Sequence, residues 1–316
     1  MTQENIAKMN NFSQNKTPFI ALLSYDEPEN DIVCKLSEAK NFGVKFKFNA
    51  KKKRTISYKM KKFSLKFKAY KTAFNKVQKY MRLGHCYLAN LCFATPFHTN
   101  LSPKTIYKHS TAPLKIMLKN RFICFTPELF VKIKNRKIST YPMKGTIDAK
   151  IPMAREILLN DKKELSEQAM ITDLMRNDLN MVSSAVQVEK FRYFSKIKTK
   201  RGEILQTSTK ISGRLSEHFS QNFGDLFEKI LPAGSITGAP KMRVCEILRE
   251  VECEKRGFYT GVFVHFDGRV LRSFVLIRFV EISPSGLKFF SGGGITLEST
   301  ARKEFDELIK KAYFTF

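Results

Sequence analysis

The pattern of apolar and polar residues along this chain predicts short strands at residues 19–25, 44–48 and 63–67. In GVKFKF and FSLKFK, lysine takes every second place, the period of a sheet with one wet face. A helix is predicted over 70–83. Further strands are predicted at 86–93, 114–118, 122–126 and 130–133, then at 186–194, 205–211, 261–266, 270–282 and 286–290. Helical spacing returns over 154–179, where Leu165, Ala169, Leu174 and Met175 form one stripe. It returns again over about 300–313, where Phe305, Leu308, Ile309 and Ala312 share a face. Strands and helices mix without a repeating βαβ period, so the expected class is α+β with mostly antiparallel sheets. No linker, repeat or low-complexity stretch divides residues 1–316, which are read as one domain with a strand-rich amino-terminal region over 1–70.

The chain has 316 residues, 43% of them apolar and 28 of them Phe, enough for a sizeable core. The amino terminus lacks the pattern of a signal peptide, and no run of roughly 18 apolar residues suggests a membrane span, so a cytoplasmic protein is expected. Six cysteines without a CxxC pair and five scattered histidines point to packing rather than to disulfides or zinc.

A net charge of +27 changes the picture, and its distribution changes it more. Between Ala39 and Pro127 there is no Asp or Glu, against 21 Lys or Arg. Such a surplus releases counterions from a phosphate backbone, which makes nucleic acid a candidate partner. The strand-like interleaving with Phe and Val accounts for it as a solvated sheet face, and no RNP-like or helix-turn-helix spacing is present. Neither nucleic acid nor membrane is expected as a partner. The surplus remains able to steer a small dianion or an acidic protein.

Chemistry is concentrated in a few blocks. LPAGSITGAPK (231–241) leads into a helix and places Pro240 at a first helical position, where free amides face the glycine loop; an anion, or simply a tight turn, fits there. Glu304, Glu307 and Lys311 share one flank of the last helix, and Glu164 and Glu167 share one flank of an earlier one. Two helices offering carboxylates to one cavity suit a hard cation such as Mg2+, although each set alone reads equally as surface charge. SGGGI (291–295) allows close backbone approach. YPMKGT (141–146) holds Lys144 between Pro and Gly, where a desolvated amine becomes a nucleophile. Glu128, bracketed by Phe125, Leu129 and Phe130, is suited to donate a proton.

Taken in order, these blocks resemble the chorismate-utilising enzymes, most closely component I of aminodeoxychorismate synthase. GHCYLANLCFATPF (84–97), HSTAPLKIMLKNRFICFTPELF (109–130), YPMKGTIDAKIP (141–152) and KELSEQAMITDLMRNDL (163–179) match in turn. So do GEILQTSTKISGRL (202–215), LPAGSITGAPKMRVCEIL (231–248), RGFYTGVF (256–263) and SGGGITLESTARKEFDE (291–307). The resemblance implies two packed antiparallel sheets with helices outside, and a catalytic core over 71–316. It implies chorismate bridged by Mg2+, with Glu167 and Glu307 as metal ligands and Glu164 and Glu304 nearby. Gly145, Thr146, Tyr259, Arg278, Gly292, Gly293 and Gly294 would hold the substrate, with Ser235 and Lys311 as further candidates. Lys144 stands where relatives resembling anthranilate synthase carry Ala, and Gln206 stands where they carry His; both favour amination at ring carbon 4. Lys144 would then be the nucleophile and Glu128 the acid, with ammonia from a glutamine amidotransferase subunit. Anthranilate or isochorismate synthesis is the alternative. Leu88 and Thr126 depart from the usual Gln and Ser, and feedback by tryptophan is not expected.

Overall fold

The computed structural model describes residues 1–50, 56–63, 65–199 and 202–314. Two sheets stack face to face, and every strand pairing among the described residues is antiparallel. The first sheet runs Met143–Asp148, Gly202–Leu215, Lys137–Thr140, Leu129–Lys134, Val270–Val275, Val262–Phe266, Phe19–Leu23, Ile32–Lys35, with the long arm Ser183–Thr199 also paired to Gly202–Leu215. The second runs Gly238–Ala239, Leu88–Thr99, Gly286–Ile295, Phe279–Ser283, Phe122–Thr126, Leu114–Leu118, Val44–Phe48, with Met60–Lys62 also on Leu88–Thr99. The expected α+β class with two packed antiparallel sheets and outer helices is the fold observed.

Side-chain parity explains the layers. In Phe19–Leu23, Phe19, Ala21 and Leu23 enter a core shared with helices Gln3–Gln14, Lys162–Asn180 and Phe223–Ile230. Ile20 and Leu22 point the other way, into the core between the sheets, where they meet Leu114, Ile116, Phe122 and Phe263. A strand buried on both faces reads as the unbroken apolar run FIALL rather than as alternation. The outer face of the second sheet is covered by helices Phe67–Arg82, Lys241–Val251 and Ala301–Lys311 through Tyr70, Phe74, Ile247, Leu248 and Leu308. Each such large side chain, fully buried, contributes about 1.5–3 kcal/mol.

Several predicted elements are corrected. The strand expected over 270–282 is two strands in different sheets, because the chain turns a corner at Leu276–Arg278 and Arg278 takes a positive φ of 55°. The strand expected over 63–67 lies earlier, at Met60–Lys62, and Phe67 already begins a helix; Ser64 lies outside the described residues. The helix expected over 154–179 is broken at Asp161, whose carboxylate accepts from the Glu164 amide at 3.0 Å and caps Lys162–Asn180. Pro240 is an extended N-cap residue rather than the first helical one. Five of the six cysteines are buried in the cores, while Cys253 is exposed.

Candidate active site

Two of the chain segments that pass between the sheets lie side by side. Phe122–Thr126 belongs to the second sheet and Leu129–Lys134 to the first, so Glu128 sits at their corner; the corner at Arg278 is its neighbour. The Phe125 amide donates to Arg278 O at 3.2 Å and the Val275 amide to Glu128 O at 3.1 Å. The Glu128 amide donates to Thr126 Oγ1 at 3.1 Å, and Ser235 Oγ donates to Glu128 Oε1 at 2.5 Å. Burial pushes the Glu128 carboxyl above its usual range, against the Ser235 hydrogen bond and the charge of Lys144.

Lys144 is aimed by a bulge. In the pairing of Met143–Asp148 with Gly202–Leu215, Lys144 opposes Thr207 and Thr146 opposes Gln206, which leaves Gly145 as an extra residue at φ 72°. Thr207 Oγ1 donates to Lys144 O and fixes the bulge. The Lys144 ammonium lies 3.4 Å from Glu167 Oε2. A Cβ on Gly145 would sit 3.1 Å from both Glu164 Oε2 and Leu158 Cδ1, so a larger residue would be crowded there as well as strained by φ. Thr146 is exposed and opposes a residue on the other face from Thr207, so the bulge separates it from Lys144.

The four glutamates come together as two pairs. Glu164 is raised by burial and by the charges of Glu167 and Asp161, and Glu304 by burial and, despite a hydrogen bond from Ser299, by Glu307. Burial would raise Glu307 as well, but Lys311, Lys163 and Lys144 hold it below its usual range. Burial alone would lower the Lys163 ammonium; Glu167, Glu304, Glu307 and Glu164 raise it overall, so both helices address this one cation. Crowded, oxygen-only donors of this kind fit a hard divalent cation. Among the described residues, no three acidic, His or Cys side chains form a ready cage, so the pairs would supply part of a coordination sphere.

The glycine strand closes the opposite wall. Gly292, Gly293 and Gly294 oppose Cys92, Leu91 and Asn90. The Cys92 amide donates to Glu252 Oε1 and the Asn90 amide to Thr237 O. Gly292 and Gly294 therefore sit in pairs that exchange no ladder bonds, and their N–H and C=O groups point to the open edge beyond Phe279–Ser283. Lys311 Nζ donates to Gly292 O at 2.8 Å and pairs with Glu307 at 2.9 Å. A Cβ on Gly293 would lie 3.2 Å from Glu304 Oε2, and one on Gly292 only 2.6 Å from Cys92 Sγ. Tyr259 is buried beneath this strand, 4.0 Å from Cys92 Sγ, and supports the wall from below. The Arg278 guanidinium lies 4.7 Å from the Tyr313 ring centre and donates to Lys311 O at 3.2 Å.

A family model described as chorismate binding enzyme matches residues 7–316. This chain belongs to the chorismate binding enzyme family. It is 43% identical over 316 residues to an uncharacterized PabA-like protein of Haemophilus influenzae, covering 98% of this chain and 96% of that one. It is 30% identical over 257 residues to aminodeoxychorismate synthase component 1 of Bacillus subtilis, covering 76% of this chain and 53% of that protein. This chain thus spans about half of that longer relative. The menaquinone-specific isochorismate synthase of Escherichia coli has the same fold, with a TM-score of 0.70 over 98% of this chain and 80% of that one at 14% identity. The protein is a chorismate-utilising enzyme related to anthranilate synthase and aminodeoxychorismate synthase components. No helix among its described residues is long and apolar enough to cross a membrane.

Two buried braces of this family site escaped the sequence reading. Asp178 accepts from Lys241 at 2.5 Å and from the Gly234 amide at 3.0 Å, which pins the loop carrying Ser235. Arg256, 2% exposed, pairs with Glu252 and donates to Ile236 O and Asn90 O, tying that loop to the strand opposite the glycines. Asp178, Lys241 and Arg256 lie inside blocks that carry the resemblance, while Glu252 lies between two of them.

Proposed function

We propose that this enzyme aminates chorismate at ring carbon 4, as aminodeoxychorismate synthase component I, using ammonia from a glutamine amidotransferase subunit. The observation that carries this reading is Lys144, set on a bulge with its amine 3.4 Å from Glu167 and its charge felt by Glu128, a carboxyl that burial drives towards the protonated form. A lysine there has no task if ammonia attacks carbon 2 directly.

The residues divide the reaction into two displacements. The Lys144 ammonium gives a proton to solvent and its amine adds at carbon 2, both ring double bonds shift one place, and the carbon 4 hydroxyl leaves as water with the Glu128 proton. Ammonia then adds at carbon 4, the double bonds shift back, and the lysine amine leaves carbon 2. The new ammonium group returns a proton to Glu128, so chorismate and ammonia give 4-amino-4-deoxychorismate and water. Ser235 orients the Glu128 carboxyl throughout. Arg278 is apt for a substrate carboxylate because its planar fork forms two parallel hydrogen bonds, and the Gly292 and Gly294 amides are apt for another. Glu167 and Glu307, with Glu164 and Glu304, would hold Mg2+, which when bound neutralises and orients a substrate carboxylate.

The test is incubation of the protein with chorismate, Mg2+ and an ammonium salt, followed by mass spectrometry. A 4-amino product is expected. Accumulated anthranilate or isochorismate without it would overturn the assignment.

A further inference from the structure

The lysine surplus of the acid-free stretch from Ala39 to Pro127 has no task in this chemistry. Within it, Val44–Phe48 is the last strand of the second sheet and, among the described residues, pairs only with Leu114–Leu118. The bonds from Asn49 N to Pro113 O and from Lys119 N to Gly43 O set the ladder's phase. By that phase Lys45 and Lys47 bond to the neighbouring strand, and the main-chain groups of Phe46 and Phe48 point off the sheet edge. On the outer face, Lys45 lies beside Met117 and Lys47 beside Lys115.

Helix Pro103–His109 packs on the neighbouring strands and stops short of this edge, leaving a groove of about 700 Å³. Six lysines line the groove and no carboxylate does. Lys40, Lys45, Lys47, Lys104 and Lys108 are exposed and make no ion pair among the described residues. The sixth, Lys115, is 5% exposed; its ammonium donates to the carbonyls of Tyr107, Lys108 and Ser110 and lies 4.8 Å from the Tyr107 ring centre. The groove thus combines unpaired positive charge, an apolar floor and an open line of main-chain donors and acceptors.

We propose that this edge takes up an acidic polypeptide segment as an added strand. A guest with a carboxylate at every second residue meets Lys45 and Lys47 on one face, while its main chain completes the hydrogen bonds of Phe46 and Phe48. Nucleic acid is the poorer match: it offers phosphates to the lysines but no regular N–H donors to the edge carbonyls. Edge lysines also keep two copies of the same edge apart. That repulsion turns to attraction for an acidic guest.

The test uses the full chain and fluorescence anisotropy at about 0.15 M salt, where exposed charges are screened beyond ~8 Å. Three labelled probes are compared: a peptide of alternating glutamate and valine, the same peptide N-methylated at alternate amides, and an oligothymidylate of equal charge. Saturable binding of the first is expected, weakened roughly tenfold or more by N-methylation, with the oligothymidylate binding less tightly. The variant Lys45→Glu/Lys47→Glu is expected to lose the peptide with unchanged circular dichroism and chorismate turnover. The N-methyl comparison uses the unaltered protein and stands even if that variant fails to fold. Absence of saturable peptide binding overturns the proposal. Equal binding of the N-methylated peptide overturns strand addition in favour of charge alone, and tighter binding of the oligothymidylate overturns it in favour of a nucleic-acid surface.

Discussion

The Lys144 ammonium stands 3.4 Å from Glu167 Oε2 and so joins an edge strand of one sheet to the helix that carries half of the acidic cluster. Glu167 Oε1 is in turn 3.6 Å from Lys163. If Lys144 is the nucleophile, Lys144→Ala is expected to lower 4-amination by about 10²–10⁴-fold, the range for removal of a group that acts directly in the reaction. Ammonia that still reaches the ring is expected at carbon 2. Mass spectrometry of the products checks both, and undiminished 4-amination would show that the amine is not used.

Ser235 sets the pH range of Glu128. Its hydroxyl stabilises the ionised carboxylate and so opposes the upward push of burial. Ser235→Ala is expected to raise the Glu128 pKa further, so the protonated acid persists to higher pH. The basic limb of the kcat profile then moves up, while Glu128→Gln removes that limb together with about 10²–10⁴-fold of rate. A limb that moves down in Ser235→Ala would contradict the assignment.

Gly292 and Cys92 are coupled by space. An alanine at 292 would place its Cβ 2.6 Å from Cys92 Sγ and 3.2 Å from Asn90 Oδ1, so Gly292→Ala is expected to destabilise the fold. Overpacking of this kind costs about 1–3 kcal/mol. Adding Cys92→Ala opens the nearest contact and is expected to recover part of the loss. Urea unfolding of the two single variants and the double variant measures the coupling.

Arg256 and Glu252 are a buried pair with side chains 1% and 6% exposed. Glu252→Gln leaves the guanidinium without its counter-charge, which costs about 3–5 kcal/mol. The Cys92 amide and the Ile236 and Asn90 carbonyls are held by the same pair, so KM for chorismate is expected to rise along with the loss of stability. A change in stability with unaltered KM would separate this brace from the glycine wall.

Glu189 ties three strands together through Lys137 and Lys210, each at 2.5 Å, and through the Ser212 hydroxyl. The hydrogen bonds from Lys137, Lys210 and Ser212 lower its pKa from 4.5 to about 2. A carboxylate lowered by folding adds stability that is complete above its unfolded value and is lost as pH falls from about 4.5 towards about 2. The melting-temperature gap between the native protein and Glu189→Gln is therefore expected to narrow over that window. A gap that stays constant from pH 6 to pH 3 would show that the three contacts do not act through charge.

Strands with clean alternation or unbroken apolar runs were legible in the sequence: Val44–Phe48, Leu114–Leu118 and Phe122–Thr126 have the ends predicted for them. The corner at Leu276–Arg278 was not, because Leu276 stays buried there and Ile277 partly so, and the apolar run continues through the bend. Helix Gln3–Gln14 hid because only Ile6, Met9 and Ser13 of it are buried, too few apolar positions to mark a stripe. In the site, Lys144, Glu128 and the two glutamate pairs were found through their blocks, and the structure brings them together. Ser235 was read as a substrate contact and proves to hydrogen-bond Glu128. The pair Asp178–Lys241 joins distant residues by tertiary packing, which no spacing along the chain announces; Glu252 and Arg256 are four residues apart, but the helix ends at Val251, so their pairing does not follow from helical periodicity.

One surplus residue in an edge strand gives its two halves opposite parity. Up to Lys144 the side chains follow one inward–outward rule, and from Thr146 they follow the other. Position 144 is thus free to vary, because the ladder does not depend on what it carries; alanine or lysine can stand there on the same scaffold. Loss of the neighbouring glycine is another matter. An in-frame deletion of that codon would restore a regular ladder, keep the distal residues on their present faces, and leave the lysine without the bulge that aims it.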